Sequence, residues 1–340
     1  MKESYLYKKL KNDKVQCLTC SHRCIITEGK KGICGARENI KGKLLCAINY
    51  GRAIALNIDP IEKKPFFHFL PGTLSVSFAA AGCNFRCVNC QNWQISQGPK
   101  IIKDFKNWGE KISPAEIVKI AKDNHCPSIA YTYTEPTIFL EYALDTMKLA
   151  KKENIKNVWV TNGFMSPETL KMITPYLDAA NVDLKSFDND FYQKYLGGRV
   201  EPVLENLKAI KRLGIWLEIT TLIIPTLSDD LKMLEKIAKF ISQELGKETP
   251  WHISAFSGFI SWKLQHLPDT PLKKIHQAYD IGKKASLKYV YAGNVPGNAA
   301  ENTYCPKCGE IMIKRTGYDV ERFDENGKCG KCGESLDMII

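Results

Sequence analysis

The sequence predicts an α/β fold, a partial (β/α)6 TIM-like barrel with a Cys-rich N-terminal segment and a C-terminal zinc-ribbon-like tail. Three observations carry that prediction. Between residues 70 and 300, short apolar runs alternate with amphipathic helical stretches about six times, the pattern of a parallel sheet with helices outside. This stretch is shorter than the roughly 250 residues of a full eight-fold barrel. The thirteen cysteines fall into separate territories: five at positions 17, 20, 24, 34 and 46, four after residue 300, and the rest within the alternating region. The expected domains are therefore 1–69, a Cys-rich N-terminal region; 70–300, the alternating α/β core; and 301–340, a zinc-ribbon or rubredoxin-like tail.

The elements follow in order. SVSFAA (75–80) is a short apolar run and reads as the first strand. Residues 113–124 start with Ser113, then Pro114, with Glu116 three after the cap, which marks a helix N-terminus. SIAYTY (128–133) is strand-like, and residues 137–154 have helical periodicity. NVWVTN (157–162) is a strand, 166–173 a second capped helix, and AANVDLKS (179–186) a strand. Residues 188–196 and 201–213 read as helical. Then come a strand at 215–224, a helix at 228–245, a strand at 250–256, a helix at 271–285 and a strand at 288–293.

Composition narrows the setting. The 340 residues are 44% hydrophobic, without a run of 18 apolar residues, so no membrane span is expected. The polar start, MKESYLYKKLKNDK, lacks the apolar core of a secretory leader. A cytoplasmic protein is expected, and in a reducing compartment cysteines serve as metal ligands more readily than as disulfides. The net charge is +11, but only eight of the 48 basic residues are Arg and no long basic block occurs. Most lysines read as solvated helix faces, while RNA stays among the partners that the charge allows.

The stretch AGCNFRCVNCQNW (81–93) directly follows the first strand. In barrels of this kind chemistry sits at the C-terminal ends of the strands. Cys83, Cys87 and Cys90 are spaced C-x3-C-x2-C, and Gly82 allows close backbone approach. Soft thiolates select iron–sulfur clusters, zinc or copper. Three thiolates around a cubic cluster leave one iron without a protein ligand. This motif resembles that of the radical S-adenosylmethionine (SAM) superfamily. The resemblance implies a 4Fe–4S cluster on Cys83, Cys87 and Cys90 whose open iron is chelated by SAM. It implies an electron from an external donor, reductive cleavage of SAM, and a 5′-deoxyadenosyl radical that abstracts hydrogen. Asn89 stands where the superfamily usually has an aromatic residue; Phe85 and Trp93 are the aromatics nearby.

Later strand ends extend the resemblance. YTYTEPT (131–137) is similar to the Gly-Gly-Glu-Pro position, which implies that Glu135 approaches the SAM amino group; Tyr133-Thr134 replace the glycine pair. VTNGF and DLKS resemble the glycyl-radical-enzyme activases of the superfamily and imply Asn162, Asp183 and Lys185 as SAM contacts. His252, on PWHISAF, is implied on the nucleoside side. A glycine-rich loop, 293–303, is a candidate substrate border.

The tail reads C-x2-C-x20-C-x2-C at Cys305, Cys308, Cys329 and Cys332, a spacing for structural zinc or a rubredoxin-like iron. At the other end Cys17, Cys20, Cys24 and Cys34 form a candidate auxiliary site for zinc or a cluster, with His22 able to replace one of them. The whole motif set, from C-x2-C-x-H-x-C through YGRAIALNIDPIEKKPFFHFLPGT to GNVPGNAAENTYCPKCG, resembles the radical SAM enzyme of the AmmeMemoRadiSam system, a pyruvate-formate-lyase activating enzyme-like family. That implies an oxidoreductase with AMMECR- and Memo-type proteins as candidate partners. Its expected role is activase-like hydrogen abstraction; the alternatives are modification of RNA or a small molecule and, from another class, a multi-metal electron-transfer or scaffold protein.

Overall fold

The computed structural model describes residues 1–102, 105 and 108–340. Its centre is one eight-stranded sheet: β1 (Ala55–Pro60), β2 (Leu74–Ala79), β3 (Ser128–Tyr131), β4 (Lys156–Thr161), β5 (Ala179–Asp183), β6 (Trp216–Ile223), β7 (Trp251–Ala255) and β8 (Val290–Gly293). Neighbours in the sheet are neighbours in the chain, and β1 does not pair with β8. Strands β2 to β8 run parallel. The sheet is thus open, with all seven strands of the alternating pattern in it. The sequence pattern did not mark β1, which joins as an antiparallel edge with Ala55 opposite Ala79 and Pro60 opposite Leu74. Asn57, Asp59 and Pro60 dilute its β character, and an edge is where a strand proline is tolerated.

Between the strands lie α1 (Trp93–Ile101), α2 (Pro114–Asp123), α3 (Leu140–Lys152), α4 (Pro167–Ile173), α5 (Glu201–Arg212), α6 (Leu231–Phe240) and α7 (Leu272–Lys284). Ser113 and Glu116 make the expected capping box on α2. Two boundaries differ from the sequence reading. Pro136–Phe139 is a 3₁₀ turn ahead of α3. Helix α6 is capped by Asp230, whose Oδ2 accepts the Met233 N–H at 2.8 Å; Ser228 instead donates to Leu222 O at 3.0 Å.

Alternation along the strands sets two faces. Val76, Phe78, Ile129, Tyr131, Trp159, Ala180, Val182, Leu217 and Ile219 join Ile117, Met147, Leu207 and Leu234 in the main core. The opposite face is filled by the connection between β1 and β2: Ile61, Phe66, Phe69 and Leu70 pack on Ala130, Val158 and Ala179. This plug is held by Glu218 of β6, a fully buried residue. Its carboxylate accepts the Phe67 and His68 N–H groups at 3.0 and 2.9 Å and the Trp216 Nε1–H at 3.1 Å. Burial opposes its charge, but the hydrogen bond and charge of His252 hold Glu218 below the usual carboxylate range.

The tail closes over the plug. Arg315 Nη2 donates to Phe67 O at 2.9 Å, and Ile339 N donates to His68 O at 2.8 Å. No helix among the described residues is long and apolar enough to cross a membrane. Replacing Glu218 with Ala should cost about 3–5 kcal/mol of stability, because three backbone and side-chain donors lose a buried acceptor beside His252. Chemical denaturation monitored by circular dichroism measures that loss, and Glu218→Gln should recover part of it.

Candidate active site and cysteine centres

The C-terminal strand ends surround a cavity of about 800 Å³. Its wall includes Cys83, Cys87, Cys90, Glu135, Asn162, Asp183 and Lys185. The structure thus gathers seven of the sequence-selected residues from four different strand ends. The wall also takes in Ala255–Ser257, Asn294 and Val295, so the beginning of the 293–303 loop borders the cavity.

The cysteine loop is fixed from several sides. Arg86 N donates to Leu196 O at 2.8 Å and Val88 N to Tyr195 O at 3.0 Å. Lys100 of α1 donates to Phe85 O at 2.7 Å. Phe85 is buried, between Phe164 and Tyr192, and Trp93 stacks on Trp262; neither lines the cavity. Gly82 has φ +107°, and a Cβ there would meet Ala36 Cβ and Cys34 O at 3.1 Å each. The close approach that requires this glycine is therefore to the N-terminal segment. Burial pushes the Cys83 and Cys90 thiols up and brings Cys87 to about 12. They would stay protonated as free thiols near neutral pH; a bound metal supplies the charge that offsets burial.

Glu135 is buried and joins two strand ends. Its Oε1 accepts from Thr137 N at 3.0 Å and Thr161 Oγ1 at 2.8 Å, and its Oε2 from Asn162 N at 2.8 Å. Burial nevertheless raises its pKa, so a cationic ligand would complete it. Before it, Tyr133 takes φ +63°, a conformation costly for a bulky residue. Its hydroxyl is anchored on Asp59 and its ring by the Lys64 ammonium 4.7 Å away. The tyrosine that replaces a glycine thus adopts a glycine-like backbone.

Asn162 Nδ2 donates to Asn84 Oδ1 at 2.7 Å, while Asn84 Nδ2 is buried without a partner among the described residues. Sequence reasoning passed over Asn84, whose signal was its place inside the cysteine motif. Lys185 Nζ meets Asp183 Oδ2 at 2.8 Å. Burial disfavours its charge, but the Asp183 carboxylate keeps the ammonium above its ordinary range.

His252 corrects the sequence expectation. It does not line the cavity; its Nε2 is 2.7 Å from Glu218 Oε2, and its ring stacks on Tyr291. The strand period faces it inward, but deep in the sheet, next to the plug, where the buried carboxylate claims it.

The tail cysteines Cys305, Cys308, Cys329 and Cys332 place all four sulfurs within 4.8 Å of one another. That suits one tetrahedral ion, for which metal–sulfur bonds of about 2.3 Å imply sulfur separations near ~3.8 Å. Gly309 N donates to Cys305 O at 3.0 Å and Gly333 N to Cys329 O at 2.8 Å, with φ of 74° and 72°, making two like turns. Cys17, Cys20, Cys24 and Cys34 together line a second, small cavity. His22 turns away from it, its Nε2 2.9 Å from Asn84 O.

Three thiols at the end of a parallel sheet face a roomy cavity, a donor set that suits an iron–sulfur centre. Residues 79–241 match the family model of the Radical SAM superfamily. The chain is 45% identical over 343 residues to the uncharacterized protein MJ0808 of Methanocaldococcus jannaschii, covering 100% of both chains. It is 26% identical to the pyruvate formate-lyase-activating enzyme of Clostridium pasteurianum, across 64% of this chain and 90% of that one. A radical SAM methyltransferase from Sphaerobacter thermophilus shares the fold at TM-score 0.50 and 12% identity, over 72% of this chain and 71% of that chain. The superfamily implies a 4Fe–4S cluster and SAM, and the cavity wall fits: three soft thiols and a buried acid at Glu135.

Gly82→Ala should lower stability by about 1–3 kcal/mol, since it adds a strained backbone to a tight contact. Thermal unfolding of purified protein checks this, and Ala36→Gly in the same chain should relieve the contact but not the backbone strain.

Proposed function

We propose that this chain reductively cleaves SAM at a 4Fe–4S cluster held by Cys83, Cys87 and Cys90, in an activase-like reaction. The observation that carries the proposal is the incomplete ligand set. Among the described residues, the cavity wall holds three cysteines and no histidine, and its acids are engaged: Glu135 with Thr161 and Asn162, Asp183 with Lys185, Asp269 with Gly258 N. When bound, the cluster supplies one electron to the SAM sulfonium, giving methionine and a 5′-deoxyadenosyl radical for hydrogen abstraction.

The chain's own residues bind and orient. Glu135 accepts the SAM ammonium, the cation its burial calls for. Lys185 takes the methionine carboxylate, with Asp183 holding the ammonium in place or accepting a ribose hydroxyl. Asn162 and Asn84 fix the edge of the cysteine loop. The wall formed by residues 255–257, Asn294 and Val295 borders the substrate. Homology to glycyl-radical activating enzymes supports a protein substrate, and an external one-electron donor is required. The motif set supports placement in the AmmeMemoRadiSam system, with AMMECR- and Memo-type proteins as the partners to try.

Anaerobic protein reconstituted with iron and sulfide, given dithionite and SAM, should release 5′-deoxyadenosine, and Cys87→Ala should reduce this to background. No release from the reconstituted wild type would favour a carrier or scaffold. Lys185→Ala should raise the KM for SAM about tenfold or more, because a charge-assisted hydrogen bond is worth about 1.5–3 kcal/mol.

A further inference from the structure

We propose that the outer face of the cysteine loop is the docking surface for an acidic one-electron donor protein, centred on Arg86, Lys194, Arg199 and Lys263. The proposal rests on the reading of Cys83, Cys87 and Cys90 as a cluster site, since that cluster takes its electron from outside the chain. Separate segments build the face. Arg86 lies inside the cysteine motif itself. The Arg86 N–H donates to Leu196 O at 2.8 Å and the Val88 N–H to Tyr195 O at 3.0 Å, which brings in residues 192–200. The Lys263 N–H donates to Val88 O at 2.9 Å, which brings in residues 256–268. The segments that carry these cations are thus hydrogen-bonded to the backbone that carries the thiols.

The charge on this face is unbalanced. All four basic residues are exposed, and among the described residues none of them makes an ion pair. Residues 81–93, 192–200 and 256–268 contain no Asp or Glu. Helix-face lysines elsewhere have such partners, as in Lys119 with Asp123 and Lys122 with Glu153. Here Lys194 and Lys263 rest over the rings of Tyr195 and Trp262, 4.9 and 4.2 Å from the centroids. Arg86 folds over Gly197, where a Cβ would meet its Cγ and Nε at 2.8 Å. Arg199 Nη2 donates to Ser21 O at 3.1 Å, a neutral acceptor that leaves its charge uncompensated. On the same acid-free stretch as Lys263, Phe259 is 91% exposed, an aromatic of the kind that anchors interfaces. None of these side chains lines the cavity, so a partner seated here leaves the strand-end opening to SAM and substrate. An acidic donor fits both the charge and the place. Opposite charge steers the encounter, and contact with the loop sets the donor's redox centre beside the thiol-bearing backbone. One electron leaves the donor and enters the cluster, with no bond made or broken. A nucleic acid would match the charge but not the place.

The probe is oxidised plant-type ferredoxin, a small acidic one-electron carrier. It is titrated calorimetrically into the anaerobically reconstituted protein at about 10 mM and about 150 mM ionic strength, where charges act over about 30 and 8 Å. Wild type should bind more weakly at the higher salt. Lys194→Glu/Lys263→Glu should raise the Kd at low salt about tenfold or more. Lys194→Gln/Lys263→Gln should fall between the two, and it provides the reading should the reversed pair not fold. No binding by wild type, or equal affinity of wild type and both variants, overturns the proposal. So does a single-stranded RNA oligonucleotide that binds more tightly than ferredoxin and is released by the same substitutions. Binding of the oxidised carrier needs neither SAM nor electron transfer. Patch-dependent binding without 5′-deoxyadenosine release would therefore sink the core reading while supporting the docking surface.

Discussion

A buried carboxylate sets the floor on which the candidate active site is built. Glu218 gathers the Phe67 and His68 amides, the Trp216 indole and His252 around one side chain. The four contacts tie three parts together: the plug through Phe67 and His68, β6 itself through Trp216, and β7 through His252. A charge this deep is tolerated because so many of its acceptor positions are filled. The plug it fixes covers one end of the sheet's inner face, so the cavity stays open at the strand ends that carry chemistry. The tail then locks on from outside, with Arg315 and the 336–339 backbone meeting the plug at Phe67 and His68.

The cysteine loop depends on the N-terminal segment in the same way. Ser21 N donates to Phe164 O, Ser166 N to Thr19 O, and the tight approach at Gly82 joins Cys34 and Ala36 to the loop. The segment that precedes the sheet therefore forms one wall behind the core cysteines. Local strain is stored nearby, at Tyr133, where Asp59 and Lys64 over-determine an uncommon backbone. These residues lie on β1 and just after it, so the edge strand helps to shape the cavity.

Much of the site was legible in order along the chain. Strand ends can be located from apolar runs, and Cys83, Glu135, Asn162 and Lys185 each follow one. Periodicity along a strand gives the face a residue points to, but not its depth. His252 shows the limit: it faces inward as expected, yet lies at the level of the plug, paired with Glu218. Asn84 escaped because an uncharged residue between ligands has no pattern of its own. Strand β1 escaped because its polar residues and proline suit an edge, where pairing rather than composition makes the strand.

The sequence by itself determined the alternating α/β order, the three cysteine territories and the thiol triplet at the first strand end, since these depend on local periodicity and spacing. Only the tertiary structure decided that residues 61–70 plug the sheet, that Gly82 is needed against Cys34, and that the four tail sulfurs come together. Those facts are distances between segments far apart in the chain, fixed by packing and buried hydrogen bonds that no local pattern records.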